Sequence, residues 1–371
     1  MGVLKPRDLM LPEALCAPLC HSPEGEGLPP IISLSGKLGM RHLFFVWILV
    51  ALTVCSCQRA PEVVVYCALD QVYSEPIFRD FEQQTGIRVK PRFDLEATKT
   101  TGLVNLLLSE KDRPRCDVFW NNEMLQTVVL QKAGVLENYV SPSAATIPAE
   151  YRDPEGAWTG FAARIRVILA HKPSVGSELP DSLADLGHPR WKGRAAMARP
   201  LFGTTLTHLV CLRQSQGPQA LDSLLESLQA NQVQILDGNS VVKDQVARGE
   251  VAWGYTDSDD ANVAVLSGAP VEMVLPDQDG PGTLLIPNTV ALIRGGPNPE
   301  AARRLVDYLL SVEVEEKLAR SDSLQIPLHP EARATEATPR LDGLRVMPVD
   351  PSAAAMEFAP VMGMLRERFV R

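Results

Sequence analysis

The chain has 371 residues, 45% of them apolar and 22% charged, with a formal net charge of −9. That length exceeds one ordinary domain, and the composition is that of a globular protein, not a disordered one. The acidic balance, with no basic run or aromatic-interleaved basic patch, argues against a nucleic-acid partner and makes a cationic ligand or a metal easier to accommodate.

Residues 1–39 carry scattered Pro and Gly, with Cys16 and Cys20, and show no periodicity. They read as an untranslated or disordered extension, with Met40 a natural start for a short signal peptide. Met40-Arg41-His42 precedes the uncharged run Leu43 to Val54 and then Cys55-Ser56-Cys57. Such a run is too short for roughly 30 Å of hydrocarbon, which takes about 20 helical residues, but it fits the core of a secretory signal. Its end resembles a bacterial lipobox, in which a small residue precedes the cysteine that takes the lipid. Cys57 fits that position better than Cys55, because Ser56 is small where Val54 is branched. Residues 40–57 are therefore expected to be a lipoprotein signal, with an uncleaved single-pass anchor as the alternative, and the remainder a soluble body held at a membrane by lipid. Cys67, Cys116 and Cys211 are odd in number and lack zinc spacing, which makes them small buried hydrophobes.

The stretch Glu62 to Leu69 predicts a strand buried on both faces. Ser74 to Gln84 predicts a helix with Ile77, Phe78 and Phe81 on one face, stopped at Gly86. A strand at Ile87 to Phe93, a helix at Gly102 to Lys111 and a strand at Cys116 to Trp120 complete an α/β lobe with a parallel sheet. Ligands bind beyond the carboxyl ends of such strands, at the loops Leu69 to Tyr73 and Asn121 to Glu123. Trp158 to Ala170 is long and extended, and the alternation then restarts. Gly193 to Ala198 is a strand, Thr204 to Gln214 and Ser240 to Arg248 are helices, and Val251 to Tyr255 is a strand entering an acidic turn. Leu284 to Ile293 is again a long apolar strand. A helix at Pro299 to Leu310, a Pro-rich connector and a last amphipathic helix at Ser352 to Phe369 follow. Two extended crossings between two α/β units describe a hinged, two-lobed clamshell. Residues 58–160 with about 285–330 form the first lobe and 161–284 with about 340–371 the second.

The motifs VVVYCALDQVYSEPIFRDFEQQTGIRV, CDVFWNNEMLQTVVLQKAGVLENY, HPRWKGRAAMARPLFGTT, ARGEVAWGYTDSDDA and GTLLIPNTVALIRGGPNPEAARRLVDYLLS run in order from about residue 62 to 330. Together they resemble the iron(III)-type branch of the periplasmic binding proteins of ABC importers (type II). The resemblance implies a monomeric receptor with a small ligand between its lobes, a permease and its ATPase as partners, and no catalytic turnover. It also implies a bound ferric ion with a synergistic anion. The sequence departs from the ferric site at each aligned place. Where the family has a His four residues after the first-strand Tyr, Asp70 stands here; the acidic ligand after the third strand falls on Asn122, with Glu123 one step on. The tyrosine pair that grips iron falls on Asp259 and Asp260.

Asp70, Glu123, Asp257, Asp259 and Asp260 still make a set of hard oxygen donors, suited to Fe3+, Mn, Mg or Ca, and packed carboxylates call for a cation among them. The alternative for Asp257 to Asp260 is a solvated turn capping the next helix. An ammonium ligand beside an aromatic wall of Trp120, Tyr73 or Tyr255 would also suit the acids, although each aromatic serves equally well as packing. Gly203-Thr204-Thr205 opens a helix and, with Asn239, matches the family's anion-binding turn; an N-terminus of this kind binds oxyanions, or is simply a helix start. A metal with an anion, an aminophosphonate zwitterion and a polyamine all remain open as ligands. HExxH, GxSxG, a P-loop and paired-Cys metal motifs are absent, which leaves an acid-pair hydrolase as the one enzymatic alternative. A receptor that signals to a membrane partner instead of feeding a transporter is a third reading that the sequence leaves open.

Overall fold

The computed structural model describes residues 60–94 and 100–370. The expected extension, the signal segment and Cys57 lie outside the described residues. Strand β1 (Glu62–Cys67) lies between β2 (Arg88–Phe93) and β3 (Val118–Asn121), parallel to both. A central parallel strand is covered on both faces, which is why the valine run is continuous and not alternating. Helix α1 (Gln71–Thr85) buries Ile77, Phe78 and Phe81 and ends at Gly86, whose φ of +69° is the left-handed stop expected there. Helix α2 (Thr101–Ser109) precedes β3, and α3 (Leu125–Lys132) and the short β4 (Leu136–Glu137) follow it.

The long apolar segment forms β5 (Thr159–His171). Beyond it come β6 (Ala195–Ala198), α4 (Gly203–Gln216), α5 (Pro218–Ala230), β7 (Gln234–Leu236) and α6 (Asn239–Ala247). Next are β8 (Trp253–Asp257), α7 (Ser258–Leu266), β9 (Val271–Val274) and β10 (Leu285–Ile293), and then helices α8 (Pro299–Leu309), α9 (Val312–Arg320) and α10 (Pro351–Phe369). The strand order is β2-β1-β3-β10-β5-β8-β6-β7, with β4 added on β10 and β9 on β5. Strand β5 divides its pairing: Thr159 to Ile165 pair with β10, whereas Arg166 to His171 pair with β8 and β9. One strand thus leaves the sheet of the first lobe and enters that of the second, and β10 runs antiparallel beside it on the first-lobe side. This is the two-lobed α/β clamshell. Helix α10 packs against both α4 and α3. Among the described residues no helix is long and apolar enough to cross a membrane, and the three described cysteines are buried and unbridged.

The crossing is irregular where the strands change partners. Ala162 has a φ of +42°, a left-handed backbone that costs a residue with a Cβ about 1–3 kcal/mol. The register of β10 shifts opposite it, between Pro287 and Asn288. Neighbouring polar groups impose this geometry. The Asn288 amide donates to the Ala162 carbonyl and to Gln325 Oε1 at 2.9 Å. The buried Glu315 carboxylate accepts the N–H of Ala162 at 2.6 Å, of Leu328 at 3.0 Å and of His329 at 2.7 Å. Burial raises the pKa of Glu315, although these donors pull it the other way. Glu315→Ala strands three buried N–H groups, so it is expected to cost about 3 kcal/mol or more, read as a lower urea midpoint. A midpoint unchanged from wild type would show that these contacts do not hold the crossing.

Candidate functional site

The acids of the acidic turn do not stand alone. Arg164 and Arg166 alternate along β5, so both side chains leave the strand on one face. Each is almost fully buried, with 3% and 0% of its surface exposed, and a charge at that depth demands a partner. Arg166 Nη1 donates to Asp257 Oδ1 at 2.5 Å, to Thr204 Oγ1 at 3.1 Å and to Asn239 Oδ1 at 3.2 Å. Its Nη2 reaches Thr205 Oγ1 at 3.3 Å. The second oxygen of Asp257 accepts Thr204 Oγ1 at 2.6 Å and Asn239 Nδ2 at 3.0 Å. Burial pushes the Asp257 pKa up, but Arg166 and Arg164 more than offset this and hold it below the ordinary carboxylate value. Asp257 is therefore an anionic keystone for the starts of α4 and α6, and its hydrogen-bonding capacity is largely committed.

Arg164 reaches across the lobes. Its Nη2 donates to the carbonyl of Asn122 at 2.7 Å, while Nε and Nη1 lie 3.4 Å from Asp257 and 3.6 Å from Asp259. Burial works against its charge, but the carboxylates of Asp259, Asp257, Asp70 and Asp260 outweigh it and raise the pKa above the usual arginine value. Arg164 lines a cleft of about 260 Å³ together with Asp70, Asn122, Arg199, Phe202 to Thr205, Asp237 to Ser240, Asp257, Asp259 and Asp260. Carboxylate oxygens of Asp257, Asp259 and Asp260 lie within 4.8 Å of one another.

Helices α1, α4, α6 and α7 all begin at the cleft, and none has its first turn capped by the N-cap side chain. The leading N–H groups of a helix have no partner within it and carry the positive end of its dipole. Gly203 opens α4 with a φ of +54° and open space where a Cβ would stand, so glycine serves the backbone conformation there and not a close contact. The cleft thus combines carboxylates with donors suited to an oxyanion.

The structure brings together Asp70, Asn122, Asp257, Asp259, Asp260, Gly203, Thr204, Thr205 and Asn239 among the residues expected from sequence. Thr204 and Asn239 are turned toward Asp257, so what α4 and α6 offer an anion is chiefly backbone. Asn122 lines the cleft, with its side-chain oxygen accepting Thr100 Oγ1 at 2.6 Å. Three expectations are corrected. Glu123 is fully buried; it accepts the N–H of Leu125 at 2.7 Å and of Gln126 at 3.0 Å and the Thr207 hydroxyl at 2.9 Å, which makes it the cap of α3 and a tie to α4. Trp120 is a core residue between Phe78 and Phe161. Tyr255 is buried beneath the Arg166 guanidinium, 5.1 Å from its ring centre. Tyr73, half-buried on α1, keeps its place beside the acids: burial, then Asp259, Asp70 and Asp260, push its pKa up to about 12. The two arginines were missed in the sequence, where they are the only charges in an otherwise apolar strand.

Residues 116–343 match the family model described as a bacterial extracellular solute-binding protein. The chain belongs to that family. Among its relatives, Iron uptake protein A1 of Synechocystis sp. is 23% identical over 273 residues, 70% of this chain and 74% of that protein. The Major ferric iron-binding protein of Neisseria meningitidis is 23% identical over 299 residues, 78% of this chain and 87% of that one. Similar folds occur in AfuA of Actinobacillus pleuropneumoniae with fructose-6-phosphate bound, at a TM-score of 0.75 and 22% identity over 83% of this chain and 98% of that one. Iron-bound HitA of Pseudomonas aeruginosa gives a TM-score of 0.74 at 22% identity, over 82% and 99%. As an extracellular solute-binding protein the chain has solute capture as its role, and the cleft is where its lobes meet.

Behind the cleft, on α4, His208 packs its ring 5.3 Å from that of Tyr255. Burial, assisted by Arg166, lowers its pKa to about 3. A histidine neutral in the folded state but with a pKa near 6.5 when unfolded adds stability that is present above about pH 6.5 and lost as pH falls toward 3. His208→Phe should therefore flatten the loss of melting temperature between pH 6.5 and 4. An identical acid profile in the variant would show that His208 does not carry this dependence.

Proposed function

We propose that the chain is the extracytoplasmic receptor of an ABC importer, lipid-anchored through Cys57, working as a monomer without catalytic turnover. We further propose that it captures a hard metal ion, ferric iron, together with an oxyanion. The observation that carries the metal reading is the convergence of Asp257, Asp259 and Asp260 oxygens within 4.8 Å in a cleft that Asp70 also lines. Carboxylates suit hard cations. With Asp257 committed to Arg166, Thr204 and Asn239, Asp259 and Asp260 are the principal metal ligands, Asp70 closes on the ion from the first lobe, and the oxyanion sits at the starts of α4 and α6. The names of the relatives, an iron uptake protein and a ferric iron-binding protein, support iron as the cargo. Ligand contacts made from both lobes favour the closed state over the open one.

The uncapped helix starts and Arg199 in the same cleft favour one second reading, a single zwitterion such as an aminophosphonate, with its amine on the acids and its phosphonate on the helices. Calorimetric titration with ferric citrate, Mn2+, 2-aminoethylphosphonate and spermidine separates the ligands. Ferric binding by wild type, reduced at least about 100-fold when Asp259→Ala and Asp260→Ala are combined, is the expected result. Undiminished ferric affinity in the double variant would refute the site, and heat from the aminophosphonate alone would replace the ligand.

A further inference from the structure

Arg164 differs from Arg166 in how it meets the acids. Arg166 bonds Asp257 at 2.5 Å and is surrounded by acceptors. Arg164 is anchored by the Asn122 carbonyl at 2.7 Å and stands 3.4 and 3.6 Å from Asp257 and Asp259. Those separations exceed the roughly 2.7–2.9 Å of a charge-assisted hydrogen bond, and Arg164 Nε, like that of Arg166, is buried without a hydrogen-bond partner. The guanidinium therefore compensates the charge of the acids without binding them closely. It also lines the cleft, where an incoming cation would meet the Asp259 carboxylate.

We propose that Arg164 is a built-in counter-ion, which holds the carboxylate cluster together in the empty receptor and sets the strength and charge selectivity of cation binding by opposing the ion that enters. This rests on the hard-cation reading given above. Among the described residues, Arg164 and Arg166 offset two of the negative charges of Asp257, Asp259 and Asp260. Arg166 is locked into the base of the site, whereas Arg164 lines the cleft next to Asp257 and Asp259 and faces the cargo. It is a positioning and specificity-determining residue and not a ligand. Coulomb repulsion between it and the cargo grows in proportion to the ion's charge, so Arg164 weakens trivalent ions more than divalent ones. A receptor with such a residue releases its ion more readily than a bare acid cluster would, as delivery to a transporter requires.

The test is calorimetric titration of wild type, Arg164→Gln, Arg164→Met and Arg164→Lys with ferric nitrilotriacetate and with Mn2+. Gln keeps a donor for the Asn122 carbonyl, and Met keeps the packing of the stem should Gln fail to fold. The neutral variants are expected to bind iron about tenfold or more tightly than wild type, with a smaller gain for Mn2+, while Lys stays near wild type. A purely structural role would weaken both ions alike. Wild-type binding with unchanged or weaker affinity in the neutral variants, or an equal gain for both ions, overturns the counter-ion role and leaves the metal reading standing. Binding of neither ion by wild type or any variant overturns the metal reading and this inference with it.

Discussion

The pairing of Arg166 with Asp257 is the interaction on which the cleft depends. Both groups are buried, and either alone would be untenable at that depth. Together they bind the last residue of β8 to the middle of β5 and, through Thr204, Thr205 and Asn239, fix the first turns of α4 and α6. Removing one partner would leave an uncompensated charge among four elements. The pair lies where β5 has just left the sheet of the first lobe, so the second-lobe half of the site is set from the crossing strand itself.

Two residues earlier on the same strand, Arg164 turns to the other lobe and takes the carbonyl of Asn122. The crossing and the site are thus separated by only a few residues of a single strand. The left-handed Ala162, clamped by Glu315 and Asn288, is the bent point. Local strain there is held by a buried acceptor on α9, the Glu315 carboxylate, and a buried donor on the neighbouring strand, the Asn288 amide. The carboxylates, helix starts and guanidiniums then supply both signs of charge within one small volume, which is what the proposed cation and its accompanying anion would require.

Much of this was legible in the sequence. The valine-rich β1, the Ile77-Phe78-Phe81 face of α1 and the long apolar β5 and β10 follow from periodicity and length alone, and so does the placing of Asp70 and the acidic turn at strand ends. Glu123 was misjudged because an acid directly after a strand looks the same in sequence whether it faces a ligand or caps the next helix; α3, unanticipated, is the helix it caps. Trp120 and Tyr255 were misjudged because a strand end offers two faces, and only packing against Phe78, Phe161 and Arg166 decides between them. Arg164 and Arg166 carried the clearest unread signal. Two charges spaced by two in an uncharged strand must both be buried on one face, and buried charges imply partners, which the Asp cluster supplies.

Whether the cleft acids hold a metal ion with an anion beside it is read most directly from the anomalous scattering of crystals of the protein loaded with ferric iron and citrate, recorded at the iron absorption edge. One strong peak is expected within coordination distance of Asp259 and Asp260, with anion density at the starts of α4 and α6. Iron found only outside this cleft, or an organic solute filling it while Asp259 and Asp260 bind no metal, would contradict it.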